Sequence, residues 1–383
     1  MELNEIVNIV SGYAFPSSDM QAEGVPILKI TNILENGELD LENTIKYSKP
    51  IPEKLRKFLL RDKDVLVCMT GATIGKVARK QKVKQDFLIN QRVAIIRAKE
   101  KLLEDFVYYL LSLPAFRKYV EIVGYGAAQP NISAKSIGKF RFLSVGNFYK
   151  CQSIGTILST YDTLIENNTK RIRLLEKMAE NLYKEWFVRF RFPGYEKAEM
   201  ENGLPKGWAV EKVKDWCRVF TGRKDVNQTV EGGRYAFFSC SPNTFHSDEY
   251  IYDGKAILIA GNGSYTGRTR YFEGKFDLYQ RTYAVVSDRS DDDFMFYLFL
   301  RFKYDFEPLH SGGTRGSAIP YIVMKDITKY KFLYDTDIVK CYTERVKPMF
   351  DEIDNLQHQN SLLARRRDLL LPRLMSGKLE VKP

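Results

Sequence analysis

Apolar residues recur in two long stretches of the chain at alternating steps of four and three residues. The first stretch runs from Ile154 to Trp186 and the second from Met349 to Leu374. This spacing is the heptad pattern of helices that pair along an apolar seam. A seam of roughly 20 to 30 residues is longer than a compact domain needs, so it favours a helix pair over helices that pack on their own domains.

Each seam carries one asparagine. A buried asparagine at a seam position fixes the register of a helix pair at some loss of stability. We therefore expect residues 154–187 and 345–376 to pack antiparallel, with the two asparagines close together near the centre. The residues predicted to form the helix pair and the subunit interface are Ile165, Asn168, Ile172, Leu175, Leu182, Trp186, Leu356, Asn360, Leu363, Leu370 and Leu374.

The segment before each long helix mixes short apolar runs with Gly, Asn and Pro. The runs Val65–Met69 and Ala256–Ala260 have the length and composition of buried strands. Glu104–Ser112 and Phe294–Phe302 have the pattern of short helices, and a proline follows shortly after each of them. The predicted fold class is α+β, with two duplicated mixed α/β domains joined by two long helices that pair as an antiparallel coiled coil.

The two halves of the chain repeat each other at an offset near 190 residues. Residues 126–151 and 316–341 share far more identities than composition alone would give, and a period this long indicates duplicated domains. The matches include Pro130/Pro320, Ile132/Ile322, Lys135/Lys325, Lys150-Cys151/Lys340-Cys341 and, upstream, Gly71/Gly263, Gly75/Gly267 and Gln91-Arg92/Gln280-Arg281. The predicted divisions are 1–148 for the first domain, 149–193 for the first helix, 194–335 for the second domain with a linker at 194–207, and 336–383 for the second helix and tail.

Charge and composition indicate the kind of partner. Lys and Arg number 59 against 48 Asp and Glu, a net charge of +11 that favours a polyanion such as nucleic acid. The five cysteines show no CxxC spacing, which argues against a zinc site and against a disulfide framework. The chain has only three histidines, which argues against a histidine-rich metal site and against a Ser/His/Asp triad.

Nucleotide chemistry is also unsupported by the motifs. Gly71–Val77 resembles a phosphate-binding loop, but Thr70 stands where that loop needs glycine and Val77 where it needs Ser or Thr. We therefore predict a non-catalytic protein with no cofactor and no metal. The chain has no apolar run of membrane-spanning length and no basic segment of the secretory type at its start, so we expect a cytoplasmic protein without membrane contact.

The order domain, helix, domain, helix resembles the specificity subunit of Type I restriction-modification systems, over essentially the whole chain. The most specific segments are Gly71–Lys76, Asn90–Arg92, the Gly126–Ile132 loop and the helix end Leu369–Gly377. The resemblance implies that each target-recognition domain reads one half of a split DNA sequence and that the helices act as a spacer. It also implies two methyltransferase subunits as partners, and restriction subunits that join that core.

Two other classes of protein stay open on the sequence alone. A stand-alone DNA-binding regulator would share the charge and the repeat but would be stable without a methyltransferase. A coiled-coil adaptor without enzyme partners would show no salt-sensitive DNA binding. One departure from the family concerns the first domain, which begins at once with Glu2–Ile6, whereas Leu204–Trp208 introduces the second domain. This departure is the reason to expect a chain that lacks leading residues, and it bears on the first edge strand of the first domain.

Candidate DNA-binding residues are amides, hydroxyls and cations near the repeated motifs, because these groups read base edges and bind phosphates. Residues shared by both copies are as well explained by fold maintenance or phosphate contact, whereas unmatched loop residues such as Asn243 and Tyr265 are better base readers. In the first domain the candidates are Lys29, Thr31, Asn32, Thr73, Lys76, Asn90, Gln91 and Arg92. In the second they are Ser241, Asn243, Asn262, Tyr265, Arg268, Arg270, Gln280, Arg281 and Arg315.

Overall fold

The computed structural model describes residues 1–34, 37–41, 44–80, 82–125, 130–143, 146–290, 292–307 and 321–381. Contacts divide the chain into two units. Unit 1 consists of Met1–Asn168 together with His358–Pro383, and unit 2 consists of Thr169–Gln357. Each unit therefore contains one part of each long helix in addition to its own mixed α/β domain.

The helices in the described residues are α1 (Leu3–Ile6), α2 (Glu104–Leu111), α3 (Pro114–Gly124), α4 (Ala134–Gly138), α5 (Phe148–Tyr183), α6 (Phe294–Phe306), α7 (Met324–Thr328) and α8 (Thr336–Met375). A π-helical turn at Lys184–Val188 continues α5. Helix α2 ends at Leu111, close to the end that the sequence pattern predicts.

Pro114 has a second role that the sequence pattern does not predict. The pattern uses it as the stop signal of the preceding helix, but it also begins α3, with Leu113 as the N-cap. Proline is tolerated at this position because the first N–H groups of a helix have no partner within the helix. Helix α3 is therefore an element that sequence reasoning missed.

In the described part of unit 1, the strands form two sheets of four. They are β1 (Val7–Ser11), β2 (Met20–Gln21), β3 (Val25–Leu28), β4 (Ile45–Tyr47), β5 (Val65–Cys68), β6 (Val77–Arg79), β7 (Leu88–Ile89) and β8 (Val93–Ala98). The first sheet has the antiparallel order β1-β8-β5-β6, and the second has the order β2-β4-β3-β7, in which β3 and β7 run parallel.

Among the residues of unit 2 that the structure describes, the strands form one large sheet and two small ones. They are β9 (Met200–Glu201), β10 (Leu204–Pro205), β11 (Ala209–Lys212), β12 (Cys217–Thr221), β13 (Tyr235–Phe238), β14 (Thr244–Ser247), β15 (Tyr252–Ala260), β16 (Thr269–Leu278), β17 (Thr282–Ser287) and β18 (Lys331–Tyr334). The large sheet has the order β12-β17-β15-β16-β13-β14, while β9 pairs with β10 and β11 with β18. The segment predicted as a polar linker therefore contains the β9–β10 pair.

Two apolar runs, Val65–Cys68 of β5 and Ala256–Ala260 of β15, are buried on both faces of their sheets, as their continuous apolar composition predicts. In unit 1, Val65 and Val67 of β5 pack with α2, whereas Leu66 and Cys68 face a second core with Leu28 of β3. Strand β15 of unit 2 divides its side chains in the same way between α6 and a core around Phe238. The order β1-β8-β5-β6 thus has its counterpart in β12-β17-β15-β16, which is the predicted duplication.

The long helices extend beyond the N-terminal ends of their heptad seams. Packing of the seams is predicted over residues 154–187 and 345–376, whereas α5 begins at Phe148 and α8 at Thr336. Pro348, which the pattern places near a helix start, lies inside α8. Burial of Val339, Tyr342 and Val346 before it stabilises the first turns of α8, and it outweighs the roughly 3 kcal/mol that an interior proline costs.

The two long helices pack together in antiparallel orientation. Within unit 2, Arg171 of α5 lies 2.5 Å from Glu352 of α8, and the Tyr342 hydroxyl donates to the Ala179 carbonyl at 3.1 Å. Contacts further along α5 are thus made with earlier residues of α8, as antiparallel helices require. All of the predicted seam residues are buried or half-buried.

Candidate nucleic-acid interface

Three turns of unit 1 are joined by hydrogen bonds at one edge of its sheets. They are residues 29–32 after β3, residues 69–76 between β5 and β6, and residues 90–92 between β7 and β8, and we call them loop cluster 1. The Asn90 N–H donates to the Leu28 carbonyl at 3.0 Å, and the Met69 N–H donates to the Arg92 carbonyl at 2.9 Å. Six of the eight candidate residues of the first domain lie on this cluster with exposed or half-buried side chains: Lys29, Thr31, Thr73, Lys76, Gln91 and Arg92.

The other two candidates, Asn32 and Asn90, are buried, with 2% and 8% of their surfaces exposed. The Asn32 side chain accepts a hydrogen bond from the Lys29 N–H at 2.9 Å and donates to the Asp40 carbonyl at 3.0 Å. Asn90 accepts from the Arg92 N–H at 3.3 Å. Both amides hold the turns in shape, and their burial weighs against direct contact with a DNA base.

Glycines of the repeated motif are required by backbone geometry. Gly75 has φ +79° and its counterpart Gly267 has φ +85°, a region that favours glycine. A Cβ atom on Gly267 would lie 2.0 Å from the Phe306 carbonyl oxygen. The resemblance of Gly71–Val77 to a phosphate-binding loop therefore has a structural explanation in each copy.

Unit 2 carries an equivalent group of turns, which we call loop cluster 2: residues 239–243, 261–268 and 279–281. The Tyr279 N–H donates to the Phe238 carbonyl at 3.0 Å, and the Gly261 N–H donates to the Arg281 carbonyl at 2.9 Å. The Cys240 thiol lies 3.2 Å from Oδ1 of Asn262, which links the first two turns. The same three connections of the sheet are thus joined in both units.

The candidates of the second domain lie on or beside loop cluster 2. Exposed side chains belong to Asn243, Tyr265, Gln280 and Arg281. Half-buried side chains belong to Ser241, Asn262, Arg268 and Arg270. Arg315 lies outside the described residues.

Two arginines on one face of β16 and the turn before it give this cluster a partly desolvated positive charge. Burial lowers the pKa of Arg268, and the Glu307 carboxylate partly offsets that effect. Burial, followed by repulsion from Arg268, lowers the pKa of Arg270 to about 10. A guanidinium that has already lost part of its water is well suited to binding an anion.

Sequence reasoning missed the turn after β12 as part of this surface. The Gln280 N–H donates to the Lys224 carbonyl at 3.0 Å, so residues 222–225 adjoin loop cluster 2. Arg223 in this turn is exposed. The signal available in the sequence was the position of Arg223 directly after the apolar run of β12.

Comparison with known proteins agrees with this duplicated arrangement. The family description "Type I restriction modification DNA specificity domain" matches residues 1–177 and 205–333. The Type I restriction enzyme MjaIX specificity subunit of Methanocaldococcus jannaschii is 27% identical over 346 residues, which cover 84% of this chain and 78% of that protein. The putative type I restriction enzyme MjaX specificity subunit of the same organism is 23% identical over 407 residues, which cover 100% of this chain and 93% of that protein.

A solved structure shows the same fold. The crystal structure of the Type I restriction-modification system S subunit from M. genitalium superimposes with a TM-score of 0.59 at 16% identity, covering 98% of this chain and 95% of that one. The chain belongs to the Type I restriction-modification DNA specificity family. It is a non-catalytic specificity subunit with two target-recognition domains and a component of such a system. Among the helices of the described ranges, none is both long and apolar enough to cross a membrane.

Proposed function

We propose that loop clusters 1 and 2 each read one half of a bipartite sequence in double-stranded DNA, while α5 and α8 set the spacing and dock two methyltransferase subunits. The observation that carries this proposal is the occurrence of the same three joined turns in both units. Two similar DNA-binding domains joined by a helix pair suit a target sequence that is divided into two half-sites. Such half-sites are separated by whole helical turns of the DNA, and a rigid helix pair can hold the two domains at that separation. Residues 1–148 and 194–335 would be the two reading domains, and restriction subunits would join the resulting complex in the cytoplasm.

Division of labour within each cluster follows from exposure. Exposed Gln91, Arg92, Gln280 and Arg281 occur in both copies, so we assign them to DNA phosphates, which every target shares. Asn243 and Tyr265 are exposed and are not matched by an identical residue in the other copy, so we assign them to base edges. Asn32 and Asn90 are left out of the contact surface because they are buried.

A domain exchange tests the modular arrangement. Residues 1–145 would be replaced by the first domain of another family member, and the chimera would be co-expressed with its methyltransferase before methylated sites are mapped across the genome. We expect one half of the methylated sequence to change and the other half to stay. A change in both halves would overturn the proposal.

The helix packing requires a matched second chimera. Leu374 and Met375 of α8 lie in the core of unit 1, with 2% and 6% of their surfaces exposed. A chimera that also takes residues 146–168 and 358–381 from the donor keeps that core consistent, because Cys151, Ile154 and Leu158 of α5 belong to the same core. If only the second chimera is active, packing rather than recognition explains the failure of the first.

A further inference from the structure

Arg270 occupies an unusual position for a residue that was expected to contact DNA. Its Nη1 donates to Oγ1 of Thr244 at 3.0 Å, and its Nη2 donates to the carbonyl of Pro242 at 2.7 Å. The guanidinium also lies 5.0 Å from the ring centre of Phe238. Two arms of the planar fork are therefore committed to the protein itself.

The groups that Arg270 holds belong to one loop. Phe238 ends β13 and Thr244 begins β14, so two of the contacts bracket residues 239–243 and the third, at Pro242, lies inside this loop. Inside the loop, the Ser239 hydroxyl accepts from the Ser241 N–H at 3.1 Å, and the Ser241 hydroxyl accepts from the Asn243 N–H at 3.3 Å. These bonds fix the backbone that carries the exposed side chain of Asn243.

We propose that Arg270 is a positioning residue that clamps loop 239–243, so that this loop presents Asn243 to the bases of the second half-site. This inference rests on the proposed function. It separates two roles among neighbouring arginines, since Arg270 would shape the loop whereas Arg268 would contact a phosphate. A loop held in a single shape also loses less conformational entropy when it binds DNA.

The first domain has no arginine at the position equivalent to Arg270. The position that corresponds to Arg268 is Lys76, and two residues further on the first copy has Ala78, which is fully buried. The segment after β3 is held instead by the Asn32 amide. Arg270 therefore belongs to the individual second domain and not to the shared scaffold, as expected of a residue that shapes specificity.

Base preference and salt dependence distinguish the two roles. A phosphate contact contributes about one to the slope of log affinity against log salt concentration, whatever the sequence. A positioning residue contributes to base preference and little to that slope. The probe is a pool of double-stranded DNA with two randomised blocks, bound to the full-length chain, recovered and sequenced.

Thr244→Val is the sharpest variant, because it removes the hydroxyl that Arg270 binds and leaves every charge in place. We expect a loss of preference of about tenfold or more at one or more positions of the second half-site, no change in the first half-site, and an unchanged salt slope. Arg270→Met and Asn243→Ala should relax the same positions. Arg268→Ala should lower the slope by about one and retain the base preference.

Arg289→Met is the matched control. Arg289 also lies over an aromatic ring, 4.0 Å from the centre of Trp216. It follows the C-terminal end of β17, whereas loop cluster 2 precedes the N-terminal end of that strand. This variant should leave the selected sequence unchanged. Two results would contradict the proposed clamp. One is that Arg270→Met lowers the salt slope by about one and leaves the base preference intact. The other is that Thr244→Val leaves the base preference at the second half-site unchanged. If the wild-type chain selects no sequence at all, the proposed function fails instead.

Discussion

Arg367 of α8 donates a hydrogen bond from Nη1 to Oδ1 of Asp162 on α5, at 2.5 Å. Asp162 also accepts from the Tyr109 hydroxyl and lies 3.8 Å from Nη2 of Arg79, which in turn bonds Asp105 at 2.6 Å. Both helices thus meet α2 and β6 of unit 1 through one charged network. Arg367 therefore occupies a seam position at which the heptad pattern predicts an apolar residue.

Replacing Arg367 by Met should destabilise unit 1. The change keeps most of the side-chain volume but leaves Asp162 with less positive charge in a site where only 20% of its side chain is exposed. We expect a loss of about 1 to 3 kcal/mol in the free energy of unfolding, measured by urea denaturation. Arg171→Gln is the control, because the Arg171 side chain is 58% exposed in its pair with Glu352 and such pairs contribute about 0 to 1 kcal/mol. Equal effects of the two changes would contradict a special role for the network.

Replacing Asn168 by Leu should raise thermal stability slightly and loosen the spacing between half-sites. Asn168 is buried on α5, six residues beyond Asp162, while Asn360 lies on α8 seven residues before Arg367. In an antiparallel pair these steps bring the two amides into register, although their proximity itself stays a prediction. The spacing tolerance is measured with duplexes whose spacer differs by one base pair. Unchanged tolerance would mean that Asn168 does not set the register.

Replacing Asp354 by Asn should stabilise unit 2 at neutral pH. Partial burial, together with Asp351 and Glu273, raises the pKa of Asp354 in the folded state. The folded state then holds the proton more tightly than the unfolded chain, so stability falls as pH rises from the unfolded pKa through the raised one. Because Asp354 keeps contact with solvent, the gain should be only about 0.2 to 0.5 kcal/mol at pH 7, and it should disappear as pH falls below the unfolded pKa.

The control for Asp354 is Asp337→Asn, in the first turn of α8. This variant should lose stability at neutral pH, because an acidic residue near a helix N-terminus is favourable. Both variants are compared with the wild-type chain by urea denaturation across a range of pH values. A gain for Asp354→Asn that grows on acidification would show the opposite linkage.

Replacing Arg92 by Ala should weaken binding to every DNA sequence. Arg92 is exposed on loop cluster 1, and a phosphate contact gives affinity without sequence information. The salt slope should fall by about one while the selected motif stays the same. Arg281→Ala tests the equivalent residue in unit 2. A change of motif at the first half-site would show that Arg92 reads a base.

The purified chain should show no turnover of S-adenosylmethionine when incubated with DNA. The sequence motifs support no cofactor site, and the family is non-catalytic. Addition of the methyltransferase subunit should restore methylation. Methyl transfer by the pure chain would contradict the assignment.

The order of domains and helices and the pairing of the long helices could be predicted from the sequence, because they depend on the internal repeat and on heptad periodicity. The register of the repeat could not be followed throughout. Helix α7 begins 190 residues after α4, but α8 begins 188 residues after α5, so the identical pairs Lys150-Cys151 and Lys340-Cys341 are not equivalent in the fold. Cys151 is buried in the core of unit 1, whereas Cys341 is half-buried. The connection between α7 and α8 is two residues shorter than the connection between α4 and α5, and residue identity alone does not reveal this difference.

The turns that carry the candidate residues could be located from the sequence, but the exposure and hydrogen bonding of each candidate side chain could not. A sequence does not show whether an asparagine side chain is exposed to solvent or hydrogen-bonded to the backbone. The buried Asn32 and the exposed Asn243 therefore could not be distinguished as candidate DNA contacts. Arg270 was chosen for its charge, but its partners Thr244 and Pro242 depend on the pairing of β13 with β14. Such long-range contacts follow from the folded sheet and leave no local pattern.

Residues 358–381 have a further consequence for how the protein is made. Because Leu374 and Met375 belong to the core of unit 1, that core is finished only after all of unit 2 has been synthesised. The first domain must therefore emerge from the ribosome with part of its apolar surface uncovered. Unit 2 is continuous in sequence and can close first, so the order of folding is expected to be the reverse of the order of translation.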